Sequence, residues 1–425
     1  MTTSLDIRRI VRTTLALVAG LGAVPVAFAG GPVTTGGFFT CMIDTDGSVR
    51  CWGENNVGQL GYGDTERRGD DEWAVDLDAI DLGGVATQIG AGTYHACALL
   101  DTGAVRCWGK GAYGALGYGD RLNIGDDESP ADAGDVSLGG PVSELYVGNN
   151  HNCVILDSGD VRCWGNGAYG KMGLGNSWGI GDDELPTDVG PVDLGDGEVE
   201  KLALGANHTC ALMDDGAVRC WGFNGYGQLG YGHTSNIGDN ELPASAGDVN
   251  LGGVAVDISA GSTHTCAVLD TGAIRCWGYG YTGALGYGNR DSIGDNEDPA
   301  AAGDVDTGGR LAVAITSGQN HNCALLDTSE VLCWGSGYAG QLGNAHRWTI
   351  GDDETLVNHH TVDLGTPTDK VLDVFNDNGM HTCVERTDGQ VQCWGAGGYG
   401  QLGNAWTGNI GDNETAALGS IVGSL

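Results

Sequence analysis

The sequence predicts an all-β chain, a seven-bladed β-propeller with four short antiparallel strands in each blade. Three observations carry that prediction. A Cys-Trp-Gly triplet occurs seven times, beginning at Cys51, Cys107, Cys163, Cys220, Cys276, Cys333 and Cys393, at intervals of 56 to 60 residues. Each of these cysteines has a partner ten residues earlier, at Cys41, Cys97, Cys153, Cys210, Cys266, Cys323 and Cys383, and the pairs account for all 14 cysteines. No window shows an apolar repeat of helical period, and 78 glycines in 425 residues disfavour helix. A unit this small cannot bury its own apolar face, so seven copies must stack, and closing the ring leaves few sheet edges exposed.

Residues 1–29 read as an export leader. Arg8, Arg9 and Arg12 precede an apolar run, and Ala27-Phe28-Ala29 offers a small-residue cleavage site. Residues 30–425 then form one propeller domain, expected to be a monomer, secreted, periplasmic or held at the cell surface, with no insertion into a membrane. The formal net charge of −37 argues against nucleic acid, whose phosphates are bound by Lys and Arg.

The second repeat shows the strand pattern. VATQI (85–89) and ACALL (96–100) are followed by Asp101-Thr102-Gly103, then AVRCW (104–108) and a glycine-rich stretch. Asp-Thr-Gly suits a three-residue hairpin with its glycine left-handed. The first repeat has only the stub VTTGG (33–37) in place of a leading strand, and the terminal GSIVGSL is expected to supply a strand to the first blade.

The phrase Gly-x-x-His-x-Cys, a turn, Cys-Trp-Gly, then Tyr-Gly is Gly148 to Cys153, Cys163-Trp164-Gly165 and Tyr169-Gly170 in the third repeat. It resembles the repeat of the regulator of chromosome condensation family, over essentially all of residues 33–425. The resemblance implies a propeller. The family's nuclear members exchange nucleotide on a small GTPase and bind chromatin, activities that a leader and an acidic surface argue against here. A shared fold does not transfer function.

Counting outward from the Asp-Thr-Gly turn sets Cys97 directly opposite Cys107, close enough for a cross-strand bridge. In an oxidising compartment this predicts seven disulfides within the blades. Zinc is the rival, with His95 as a third ligand two residues from Cys97. The first repeat decides between them: Phe39 stands in the histidine position, yet Cys41 and Cys51 both remain. His95, His151, His208, His264, His321 and His381 are therefore read as structural, and the triplet tryptophans as packing between blades.

GKGAYG (109–114) and GNGAYG (165–170) match a dinucleotide string but have no helix after them, so they are read as tight loops. A Gly-Asp-[Asp/Asn]-Glu motif follows each triplet at fixed distance, with its first acid at Asp70, Asp126, Asp182, Asp239, Asp295, Asp352 and Asp412. These are calcium candidates, since calcium takes six to eight oxygens. The competing reading is turn chemistry, Asp bonding its own backbone. No nucleophile with a base emerges, and a non-catalytic chain without a cofactor is expected.

The loop before each acidic motif keeps its length and varies in sequence. Ring symmetry places all seven on one face. They carry Arg67, Arg68, Arg121, Trp178, Arg290, Arg347, Trp348 and Trp406. Trp and Arg are enriched at binding hot spots. The favoured reading is a propeller presenting this loop ring to a protein or a cell-surface glycan. The alternative is a structural envelope or matrix protein whose acidic turns bind calcium.

Overall fold

The computed structural model describes residues 32–365 and 370–424. The leader assigned to 1–29 lies outside the described residues. Seven antiparallel sheets stand in a ring, one per repeat. In blade 2 the inner, middle and outer strands are Ala86–Ala91, His95–Leu100 and Val105–Gly109. Blade 1 begins with the short inner strand Val33–Thr35, followed by Phe39–Ile43 and Val49–Gly53.

The fourth strand is present as a paired strand only in blade 7, where Ser420–Ser424 adds to Gln390–Gly395. In the other six blades it is reduced to a single backbone bond along the outer edge, such as Val136 N–H to Val105 O at 2.8 Å and Ile80 N–H to Val49 O at 2.8 Å. The terminal segment thus completes the last blade and not the first. Gln390–Gly395 lies beside it in sequence, and the first blade is covered by its own residues around Ile80.

The core lies in and between the sheets. The seven triplet tryptophans are fully buried, and every middle strand is buried or nearly so along its length. Cys97 pairs in register with Cys107, and the equivalent pair is opposed in each blade. All seven pairs form disulfides, with Cα atoms 4.0–4.1 Å apart. No cysteine is free. The bridges staple the middle strand of each blade to the outer one.

The seams between blades use one device six times. His95 Nε2 lies 2.8 Å from Asn152 Oδ1 of the next blade, while Asn152 Nδ2 donates to Ala115 O at 2.7 Å. The amide nitrogen is thereby engaged, so the histidine carries its proton on Nε2 and donates. His151–Thr209, His208–Thr265, His264–Asn322, His321–Thr382 and His381–Thr40 repeat the contact at 2.7–3.1 Å. The last of these closes the ring between blades 7 and 1. In five of these seams the tryptophan of the next blade donates to the same carbonyl: Trp164 Nε1 reaches Ala115 O at 3.1 Å and Trp52 Nε1 reaches Gln401 O at 3.0 Å. Between blades 1 and 2 the pair is Phe39 and Ala96, both fully buried.

Candidate binding face

Each outer strand ends on the face that carries the inner–middle hairpins. Lys110 N–H donates to Tyr94 O at 2.9 Å as the chain leaves blade 2, and Asn166, Phe223 and Tyr279 do the same in blades 3, 4 and 5. The variable loop then returns, and Ile124 exchanges hydrogen bonds with Gly109 at the end of the outer strand. The same bridge anchors all seven loops, with Arg68 in the isoleucine position in blade 1. The loops therefore stand on one face, fixed at both ends, as the repeat spacing predicts.

The glycine strings and the acidic motifs meet across the seams. Gly114 has φ +73°, and a Cβ there would sit 2.5 Å from the backbone nitrogen of Asp182 in the next blade. Gly119 N–H donates to Gly181 O at 3.1 Å. The last glycine of GKGAYG is thus the floor on which the next Gly-Asp turn rests, a packing role that requires the absence of a side chain.

The predicted rim residues divide into two groups. Trp178 and Trp348 are the most exposed large apolar side chains, at 76% and 75%, and Trp406 is 54% exposed. The backbones of Trp178 and Trp348 are held, by Trp178 N–H donating to Asn176 Oδ1 at 2.9 Å and Trp348 N–H to His346 Nδ1 at 3.3 Å, and the Trp348 ring stacks on His346 with centroids 5.0 Å apart. The arginines are engaged. Arg121 pairs with Asp182 at 2.5 Å, Arg290 with Asp352 at 2.7 Å, and Arg347 with Asp412, each clipping its loop to the acidic turn of the next blade. Arg68 is held by Asp64 at 2.7 Å and lies over the Tyr62 ring, and Arg67 lies over Tyr399 and 3.8 Å from Asp70.

Three carboxylates converge within 4.8 Å in four acidic motifs, at Asp70–Asp71–Glu72, Asp126–Asp127–Glu128, Asp182–Asp183–Glu184 and Asp352–Asp353–Glu354. Burial, and then the adjoining aspartate, push the carboxyls of Glu128 and Glu354 up to about 7. Three of the four groups already have an arginine on their first acid, at Asp70, Asp182 and Asp352. Asp126 has instead Asn123 Nδ2, at 3.3 Å. In the remaining motifs Asn replaces the second acid, at Asn240, Asn296 and Asn413.

Sequence reasoning missed a set of aromatic rings on the face that carries the loops. Tyr169, Phe223, Tyr226, Tyr279 and Tyr281 form a chain of ring contacts across blades 3, 4 and 5, with centroids 4.6–6.1 Å apart. Tyr94, Phe38 and Tyr399 form a second arc over blades 2, 1 and 7. The available signal was positional: Phe223 and Tyr279 each stand three residues after a triplet cysteine, beside the glycine strings.

Two repeat profiles, both described as regulator of chromosome condensation (RCC1) repeat, match the chain. One matches residues 33–59, 86–115, 142–171, 199–228, 255–284 and 312–341, the other 158–212 and 215–268. The ultraviolet-B receptor UVR8 of Arabidopsis thaliana is 29% identical over 84% of this chain and 75% of its own length. The human E3 ubiquitin-protein ligase HERC2 is 30% identical over 75% of this chain, which spans only 6% of that protein. A secretion-regulating guanine nucleotide exchange factor of Mus musculus is 27% identical over 70% of this chain and 60% of its own length. Among solved structures, Prp20p of Saccharomyces cerevisiae superposes with a TM-score of 0.66 at 17% identity, over 94% of this chain and 88% of that one. Human WBSCR16 gives 0.63 at 20% identity, over 84% and 86%. With the repeat matched in six of the seven blades and the same propeller in its structural neighbours, this chain belongs to the regulator of chromosome condensation (RCC1) repeat family.

Proposed function

We propose that the chain is an exported, non-catalytic binding propeller whose rim loops engage a protein partner or a cell-surface glycan. The observation that carries this reading is the exposure of Trp178 and Trp348, with Trp406 beside them on the same face, in loops pinned at both ends. An indole held in water on a rigid support gives a large contact area at little entropic cost on binding. Arg121, Arg290 and Arg347 fix the loop bases through their aspartates and keep half to two-thirds of their side chains exposed, so they border the same surface. Seven disulfides fit an oxidising compartment, which supports export. The acidic surface speaks against nucleic acid as the partner.

The calcium-dependent structural reading is favoured by one group, Asp126–Asp127–Glu128, whose three carboxylates converge with no arginine on them. Both readings are tested by capture from culture and envelope fractions with residues 30–425 as bait, with and without calcium. A Trp178/Trp348/Trp406→Ala variant runs in parallel. A partner captured without calcium and lost in the variant supports the rim. Capture that depends on calcium and is equal in the variant overturns it in favour of the acidic turns.

A further inference from the structure

The central channel breaks the sevenfold repeat. Each inner strand from blade 2 onward has a register shift at one position, occupied in turn by Gln88, Glu144, Lys201, Asp257, Ala314 and Asp373, of which Lys201, Ala314 and Asp373 line the central cavity. Two of these residues take an amide from the next blade: Gln88 Oε1 from Leu145 N–H and Asp257 Oδ2 from Ile315 N–H, both at 2.8 Å. Lys201 and Ala314 cannot accept. In the blades that follow them, the aspartate takes the neighbouring amide itself, Asp257 Oδ1 from Ile258 at 2.9 Å and Asp373 Oδ1 from Val374 at 2.8 Å.

The two aspartates end up differently placed. Asp257 also holds Lys201 Nζ at 2.5 Å, so both of its oxygens are engaged. Asp373 has no cation in contact, and its second oxygen meets no donor among the described residues. It lines a cavity of about 120 Å³, well above the roughly 10–15 Å³ that one water needs. Asp377 enters the same cavity from a hairpin one residue longer than its counterparts, accepting from Thr34 Oγ1 at 2.9 Å. Next to it, Asn378 Nδ2 donates to Ala91 O at 2.8 Å and Val147 O at 3.1 Å, which roofs the channel.

The channel at this level thus sets one ammonium, already paired with Asp257, beside two further aspartates that line the cavity. Asp373 is partly exposed and Asp377 exposed to the channel, and neither has a cation in contact, so this stretch of the channel carries uncompensated negative charge. A metal ion is a poor fit: the groups of three carboxylates close enough to enclose one all lie in the rim motifs, none in the channel, among the described residues. A planar or tetrahedral organic cation donates in several directions and spans acceptors that do not converge.

We propose that the channel binds a guanidinium or alkylammonium group, seated between Asp373 and Asp377 beneath Asn378. The group comes either from a free small molecule or from the side chain of a partner, and the site is independent of the rim loops. The test is isothermal titration of residues 30–425 at pH 8 with methylguanidinium chloride, against sodium chloride and calcium chloride as controls. The peptide acetyl-Gly-Arg-Gly-amide forms a second arm. Asp373→Asn keeps an oxygen for the Val374 amide and so retains the fold, checked by thermal melting. The expected result is saturable one-site binding, weakened at least tenfold in D373N and unchanged in the triple tryptophan variant. Binding of the peptide as well assigns the site to a partner's side chain, and binding of the small cation alone assigns it to a free ligand. No saturable heat from either probe, equal binding in D373N, or an equal response to sodium or calcium overturns the proposal.

Discussion

Six seams of the ring are polar and one is apolar. In the six, a buried histidine donates to Asn or Thr of the next blade, whose own donor closes on a loop carbonyl, and in five of them an indole N–H reaches the same carbonyl. Between blades 1 and 2, Phe39 and Ala96 replace both members at once and leave the Trp108 indole to reach Gln59 O alone, at 3.1 Å. The paired replacement shows that the histidine is half of a two-part contact. Losing one half would strand the other in a dry interior, whereas losing both leaves an apolar seam with nothing unmet. The seam, not the single blade, is the unit within which residues are exchanged.

Acid separates the two kinds of seam most strongly. Burial lowers the imidazoles to about 4 for His95 and His264 and to about 3 for His208, His321 and His381, against about 6.5 in an unfolded chain. His151 is lowered too, by burial first and then by Lys171. A folded-state pKa below the unfolded one means that the unfolded chain takes up protons first. The stability from these histidines is complete above pH 6.5 and is lost as pH falls towards 4. Each contributes a slope of up to about 1.4 kcal/mol per pH unit in that window. Urea melts at pH 7.5, 5.5 and 4.5 check this, and a flat profile would refute the buried neutral imidazoles. Carrying the Phe39/Ala96 solution into one polar seam, as His208→Phe with Thr265→Ala, should make the profile shallower by one histidine.

The same seam gives the next largest effect at neutral pH. His208→Ala alone empties a filled site and strands Thr265, for an expected loss of about 2–4 kcal/mol. Replacing both partners with Phe and Ala should cost less than the single change, because blades 1 and 2 show that the pair packs. A double-mutant cycle measures the coupling. A coupling near zero would mean that the histidine acts by volume alone.

The staples lie within blades and should be indifferent to the seam. Replacing Cys97 and Cys107 together by Ala removes an 11-residue loop closure worth roughly 2–3 kcal/mol at most. The melting temperature should fall while the acid slope stays the same. A changed slope would show that the bridge positions His95, two residues away on the same strand.

How much of this was legible follows the same division. Anything repeated was readable, because seven copies fix a register: the cysteine pairing, the loop face, and the meaning of Phe39 against six histidines. The partner of each histidine was not, since Asn152 or Thr209 is an ordinary strand residue until the neighbouring blade is docked on it. The fourth strand was overread. In six blades the segment keeps one hydrogen bond, and only Ser420–Ser424 pairs along its length. The channel residues were invisible for a different reason: Lys201, Ala314 and Asp373 alternate correctly for strands, and only ring closure brings them together. The acidic motifs were seen as turns or metal ligands, while their backbone role against the glycines of the preceding blade depends on contacts such as Gly114 with Asp182 and Gly119 with Gly181, far apart in sequence.

The smallest effect should come from the arginine clips, which only some seams possess. Arg347 is 62% exposed while its partner Asp412 is 4% exposed, so the pair lies at the boundary of the seam. Exposure of the guanidinium lets water and salt screen it, and Arg347→Ala should lower stability by only about 0.5–1 kcal/mol. The seam between blades 3 and 4 already does without such a clip: Ser177 stands in the arginine position, and Asp239 accepts from Asn236 Nδ2 at 3.2 Å. The loss in R347A should shrink further in 1 M salt, which screens the wild-type pair over about 3 Å. A loss of several kcal/mol that persists in salt would instead mark Asp412 as a carboxylate that depends on this arginine, and would make blades 6 and 7 the seam that electrostatics holds.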